Sequence, residues 1–182
     1  MKDWIATILL LSGISTLYLL GEILIESALP ATYPGNSFAI ISLLGKISAS
    51  LTPIMLYVFI SLTSYLMILV FKEEVKISHL LSKMWISFIP ILISSMISYF
   101  VLQGILNYDL NELKESEVLA LELRLNLTLS DLKMISNISY FLLYSILSLI
   151  IRDVFELEFI PSVISSFVPS LLVFLLGIIF RM

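Results

Sequence analysis

Few residues in this sequence have side chains suited to chemistry, and their spacing sorts them. Glu22 and Glu26 stand one helical turn apart near the end of an apolar run. Carboxylates within a membrane segment mark ion or proton pathways. At the end of the run, rather than its middle, both are more simply expected to reach the polar interface. A second set of acids, Asp109, Glu112, Glu115 and Glu117, has oxygens for a hard cation, but the spacing is not that of an EF-hand loop, and a solvated loop is the expectation. His79 is the single histidine and there is no cysteine. A lone histidine cannot assemble a first-row metal site, and disulfides, thiolate nucleophiles and iron–sulfur ligation are closed off. There is no phosphate-binding glycine loop, no HExxH and no GxSxG. Asn126-Leu127-Thr128 and Asn137-Ile138-Ser139 are glycosylation sequons. Asn137 lies too close to an apolar run to be reached, and Asn126 qualifies only if its loop faces outward. The expectation is a chain with no catalytic residue, no cofactor and no metal, and so not an enzyme. A net charge of −4 without a basic cluster argues against nucleic acid as a partner.

The elements that carry these residues are dominated by hydrophobicity. Of 182 residues, 59% are hydrophobic and 13% charged, with mean hydropathy +1.08; a soluble domain carries about 25% charged residues. Residues 51–71 form 21 residues without a charge, and 84–106 another 23. At about 1.5 Å per residue each run crosses the ~30 Å hydrocarbon core of a bilayer. Lys72, Glu73, Glu74, Lys76, His79 and Lys83 bridge them, so the pair reads as a transmembrane hairpin. Residues 4–25 form a first span, with Gly13 and Gly21 on one face for close packing. This run is longer than a cleavable signal core, so it is expected to be retained.

Pro30, Pro34, Gly35 and Asn36 break the chain after span 1, and 37–45 is too short to cross, which suggests an interfacial or re-entrant helix. Pro53 is expected in the first turn of span 2. Pro90 should bend the third span, with Ser87, Ser94, Ser95 and Ser98 serving freed carbonyls. In 119–129 leucines alternate with Glu122, Arg124, Asn126 and Thr128, a period-two pattern that predicts an extended segment within an outer loop over 107–133. Ser130-Asp131 predicts the start of a fourth span at 134–151, 152–158 a tight polar turn, and 159–180 a fifth span. In that last span Ser162, Ser166, Ser170 and Gly177 form a small-residue packing face, with serines able to bond across a helix pair. The fold class is therefore an all-α integral membrane protein. It is one domain over 1–182, a bundle of five transmembrane helices with a short interfacial helix and one structured outer loop. Lys/Arg density in 72–83 favours a cytoplasmic N-terminus and an outside C-terminus.

Two stretches, FKEEVKISHLLSKMWISFIP (71–90) and YSILSLIIRDVFELEFIPSV (144–163), resemble the Yip1 family of small five-span membrane proteins. In that family an apolar helix ends in a short charged linker followed by a helix with an early proline, and later a polar turn precedes the last span. The likeness covers about residues 45–180. It implies five spans, a cytoplasmic N-terminus, an outward C-terminus and, for eukaryotic members, vesicle trafficking with small GTPases; prokaryotic members have no settled role. The sequence departs from the eukaryotic pattern in the polar N-terminal region that would meet a GTPase. The expected function is thus non-enzymatic: helix packing with a second copy or a membrane-protein partner in the bilayer, at the cell membrane if the source is prokaryotic. The alternative is a small-molecule transporter subunit that binds substrate in the membrane. Such subunits are usually rich in Ala and Gly, whereas this chain has six of each. A deep polar cavity would favour that alternative.

Overall fold

The computed structural model describes residues 2–28, 36–72, 75–107 and 123–179. Their elements are α1 (Lys2–Ala28), α2 (Asn36–Phe71), α3 (Ile77–Met84), a 3-10 turn (Trp85–Phe88), α4 (Ile89–Leu102), 3-10 turns at Gln103–Asn107 and Arg124–Asn126, α5 (Leu129–Phe155) and α6 (Phe159–Ile179). No strand occurs among the described residues. Four stretches are long and apolar enough to cross a membrane: Asp3–Ser27, Ser42–Phe71, Ile77–Leu106 and Leu129–Phe155, with Phe159–Leu172 a shorter apolar helix.

Three expectations change. The separate interfacial helix at 37–45 does not exist as such; α2 runs unbroken for 36 residues through Gly45 and past Pro53, which lies well inside the helix. Gly45 weakens the helix there, but Lys46 pairs with Glu26 Oε2 at 2.6 Å and Ser42 donates to Glu26 Oε1 at 2.5 Å, so α1 stabilises the turn that the glycine weakens. Prolines also disturb a helix less where neighbouring hydroxyls serve its carbonyls, as Thr52 does for Ser48 (2.7 Å) and Ser50 for Ile47 (2.9 Å).

The extended reading of 119–129 fails where it is described; 119–122 lie outside the described residues. Leu123 is extended, but Leu125 (φ 64°) and Asn126 (φ 55°) are left-handed, and the Leu123 N–H donates to the Leu127 carbonyl at 2.8 Å. This is a tight turn. Leu123, Leu127 and Leu129 pack on one cluster while Leu125 is exposed, so the alternation breaks at Leu125. The last expectation to move is the start of α5, at Leu129 rather than 134. Thr128 and Asp131 form a capping box: the Asp131 N–H donates to Thr128 Oγ1 (3.1 Å) and the Thr128 N–H to Asp131 Oδ2 (2.8 Å).

Before Pro90, the chain tightens into 3-10 geometry. Proline has no N–H for the Ile86 carbonyl, and the Ile89 N–H takes that carbonyl instead. Ser87 Oγ donates to the Met84 carbonyl (2.6 Å), and Ser94 and Ser95 to that of Ile91 (3.0 and 2.7 Å).

The Cα packing forms two compact units. One comprises Met1–Leu10, Ile54–Pro90 and Tyr140–Met182; the other Leu11–Pro53 and Ile91–Ser139. In the first, Ile60, Ile68, Leu80, Met84, Phe88, Leu143, Leu147 and Ile151 are fully buried, and the Tyr57 and Phe88 rings meet at 5.2 Å. Its connections are held by side chains reaching backbone. Tyr57 donates to the Leu81 carbonyl (2.8 Å), Tyr65 to that of Val75 (3.1 Å), and Lys72 Nζ to that of Phe155 (2.7 Å), the last residue of α5. Glu156 then turns left-handed (φ 54°) into α6. In the second unit Val101, Ile105, Leu123 and Leu132 form a cluster backed by Ile97, Leu127 and Ile135, so the 123–129 turn packs on the end of α4.

Candidate functional site

The second unit contains a cavity of about 300 Å³. From α1 it is lined by Leu17, Tyr18, Gly21, Glu22 and Ile25; from α2 by Ala49; from α4 by Ser94, Ser95, Ser98, Tyr99 and Leu102; and from α5 by Ser136. Residues 18, 21, 22 and 25 recur at helical spacing and so share one face of α1, as do 95, 98, 99 and 102 on α4. Polar lining among otherwise apolar helices is selective: four serines, two tyrosines and one carboxylate face the same space.

The two acids of α1 have different environments. Glu26 is neutralised by Lys46 and accepts from Ser42. No donor among the described residues reaches Glu22, whose carboxylate instead lies against Gly45 of α2. A Cβ added at Gly45 would stand 2.7 Å from Glu22 Oε1. Gly45 is therefore the notch that accommodates this side chain. Ala49, one turn further on, keeps the wall low, and its carbonyl is the one to which Pro53 has no N–H to donate. Ser94 and Ser95 spend their protons on the Ile91 carbonyl, leaving lone pairs to accept.

The remaining candidates are dispersed. His79 is on α3, where Ser82 donates to its carbonyl. No group of three His, Cys, Asp or Glu that could hold a metal occurs among the described residues. Asp109, Glu112, Glu115 and Glu117 lie outside them. Asn126 is exposed on the left-handed turn, and Asn137 is on α5. Arg124 donates to Gln103 Oε1 (2.6 Å) and its guanidinium sits 5.4 Å from the Phe100 ring centre, which ties the turn to α4.

The small-residue face of α6 is buried at Ser162, Ser165 and Ser166 and half-buried at Ser170. Its hydroxyls do not bond across helices. Ser162 donates to Glu158, Ser166 to Val163 and Ser170 to Phe167, all carbonyls of the same chain segment, and Ser165 Oγ has no partner. The close approaches lie at other glycines than expected. At Gly13 and Gly21 a Cβ would make ordinary contacts of 3.6 and 3.8 Å, whereas at Gly104 it would stand 2.8 Å from the Arg124 backbone nitrogen.

The cavity was missed in the sequence because its walls come from four segments far apart in the chain. The available signal was Glu22 on the same α1 face as Tyr18 and Ile25. No family model matches this sequence, and no curated protein or solved structure is significantly similar to it.

Proposed function

We propose that the chain is a five-span, non-enzymatic integral membrane protein of Yip1-like architecture, acting through helix packing with a second copy or a membrane-protein partner. The observation that carries this reading is the Lys72–Phe155 bond. The two stretches that resemble the family, 71–90 and 144–163, meet there, with Lys72 Nζ on the Phe155 carbonyl. A charged linker after one helix thereby caps the helix before the last polar turn; a cation on terminal carbonyls is favourable in itself. Placement in a bilayer is supported by exposed apolar side chains on every long helix, such as Ile8, Met55, Met96 and Phe141, a surface that a water-soluble monomer would not tolerate. α6, at 21 residues, has the length for a fifth span. The test is purification in a mild maltoside with mass measured by light scattering. A homo-oligomer or a defined complex is expected. A strictly monomeric, partner-free 20.6 kDa chain would count against it.

The cavity favours a second reading, a transporter subunit that binds a small solute. A polar-lined space of this size beside a carboxylate on an apolar helix is where such proteins hold substrate.

A further inference from the structure

We infer that the cavity of the second unit binds a small organic monocation, an alkylammonium, with Glu22 as its counter-ion. The inference rests on the solute-binding reading above and names the solute's class.

Charge is the first argument. No donor among the described residues reaches Glu22, whereas Glu26, one turn away, is satisfied twice over by Lys46 and Ser42. Glu22 is half-buried beside the cavity, and a carboxylate partly withdrawn from water is stabilised when a cation is brought to it. Lys46, the nearest basic residue along α2, is already committed to Glu26. One carboxylate balances one positive charge, and the absence of any three-acid group among the described residues argues against a divalent metal.

Size and lining are the second. The cavity's 300 Å³ is roughly ten times the ~30 Å³ share of a water molecule. A bare alkali ion would leave most of it to water, while an alkylammonium fills it with its chain. Leu17 and Leu102 offer apolar wall for such a chain. Tyr18 and Tyr99 have ring faces attractive to an ammonium, and serine lone pairs accept from its N–H groups. Gly45 is the third argument. A Cβ there would stand 2.7 Å from Glu22 Oε1, so the glycine leaves the room in which the carboxylate lies beside the cavity.

The test uses the full chain in maltoside micelles, with n-butylammonium, 1-butanol, butyrate and sodium chloride titrated separately by calorimetry. Butylammonium is expected to bind, and the neutral and anionic analogues not. Glu22→Gln should melt with the parent and weaken butylammonium binding at least about thirtyfold, the lower end of what removing one partner of a buried charge pair costs. Should Glu22→Gln fail to fold, Ser98→Val, which narrows the cavity and removes an acceptor, is expected to weaken the same binding. Equal binding of 1-butanol, or full binding by Glu22→Gln, overturns the cation assignment while leaving a solute site in place. A sodium response that Glu22→Gln abolishes, without a butylammonium response, reassigns the site to an alkali ion and overturns it too. Binding of none of the four overturns both the inference and the solute-binding reading.

Discussion

Two adjacent serines on α6 are both fully buried and differ only in their hydrogen bonding. Ser166 gives its proton to the Val163 carbonyl at 3.0 Å; Ser165 gives its to nothing. A buried hydroxyl without a partner loses its hydration and gains no bond, a cost of about 1–3 kcal/mol. Ser165→Ala removes that group with little change of volume, so it should leave stability unchanged or raise it by about 1 kcal/mol. Ser166→Leu does the opposite: it forces extra methylenes into a position with no exposed surface and should cost about 1–3 kcal/mol. Leu172→Ile, at an exposed position, should cost little. Thermal unfolding of the three variants in the same detergent checks the order Ser165→Ala, Leu172→Ile, Ser166→Leu from most to least stable. A Ser166→Leu protein that melts with the parent would mean that α6 has no close neighbour there.

Glycines and turns decide matters at the scale of elements. Where a Cβ would meet only a flexible leucine end, as at Gly13, alanine should be accepted. Its better helix propensity should then show as a gain of roughly 0.5–1 kcal/mol. Gly104 is different, because the obstacle is the backbone of Arg124 at 2.8 Å. Gly104→Ala must push the 123–129 turn off the end of α4, for a loss on the order of 1–3 kcal/mol. The same turn holds Leu125 at φ 64°, where a leucine is strained by about 1 kcal/mol and its exposed side chain returns little. Leu125→Asn should therefore stabilise the protein by a few tenths to about 1 kcal/mol, since asparagine tolerates this region. Denaturant titration of the three variants against the parent would show the signs. These positions also mark what was legible in the sequence. The long apolar helices follow from hydropathy alone; the polar turn expected over 152–158 shrinks to 156–158, because the helix before it runs on to Phe155. The fate of Gly45-Lys46 does not follow from hydropathy: it depends on Glu22 and Glu26, about twenty residues earlier, which notch into and pair with α2. The leucine alternation at 119–129 misled for a related reason. Period two needs a neighbouring strand to become structure, and where the turn is described α4 supplies a helix end instead. The cavity required four segments at once, and only its α1 face was visible as a pattern.

For the whole molecule the open physical question is which side each connection faces, and the first unit bears on it. Asp3, near the start of α1, lies 3.9 Å from Lys83. Lys72, in the connection after α2, bonds the Phe155 carbonyl at the end of α5. The start of α1, the 72–76 connection and the turn at 156–158 therefore all belong to one unit. On the proposed five-span path these three would fall on one side, because the chain returns to its starting side after every second crossing. The basic residues Lys2, Lys72, Lys76, Lys83 and Arg152 go with that side, crowded near helix ends. On the same path Lys46, Lys114, Arg124, Lys133 and Arg181 would go with the other. The counts are equal, so density decides, and three lysines within 72–83 favour that side as cytoplasmic. On the proposed reading α6 crosses once more, which would put the two termini on opposite sides with the N-terminus inside. The chain has no cysteine, so single cysteines can be introduced at Lys2, Lys76 and Arg181 in an unlabelled background. In intact cells a membrane-impermeant maleimide should react with the cysteine at 181 and spare those at 2 and 76 until the cells are opened. Labelling of 2 and 181 alike would mean an even number of crossings and remove α6 as a span. Labelling of 76 with 2 and not 181 would keep five crossings and turn the whole protein over.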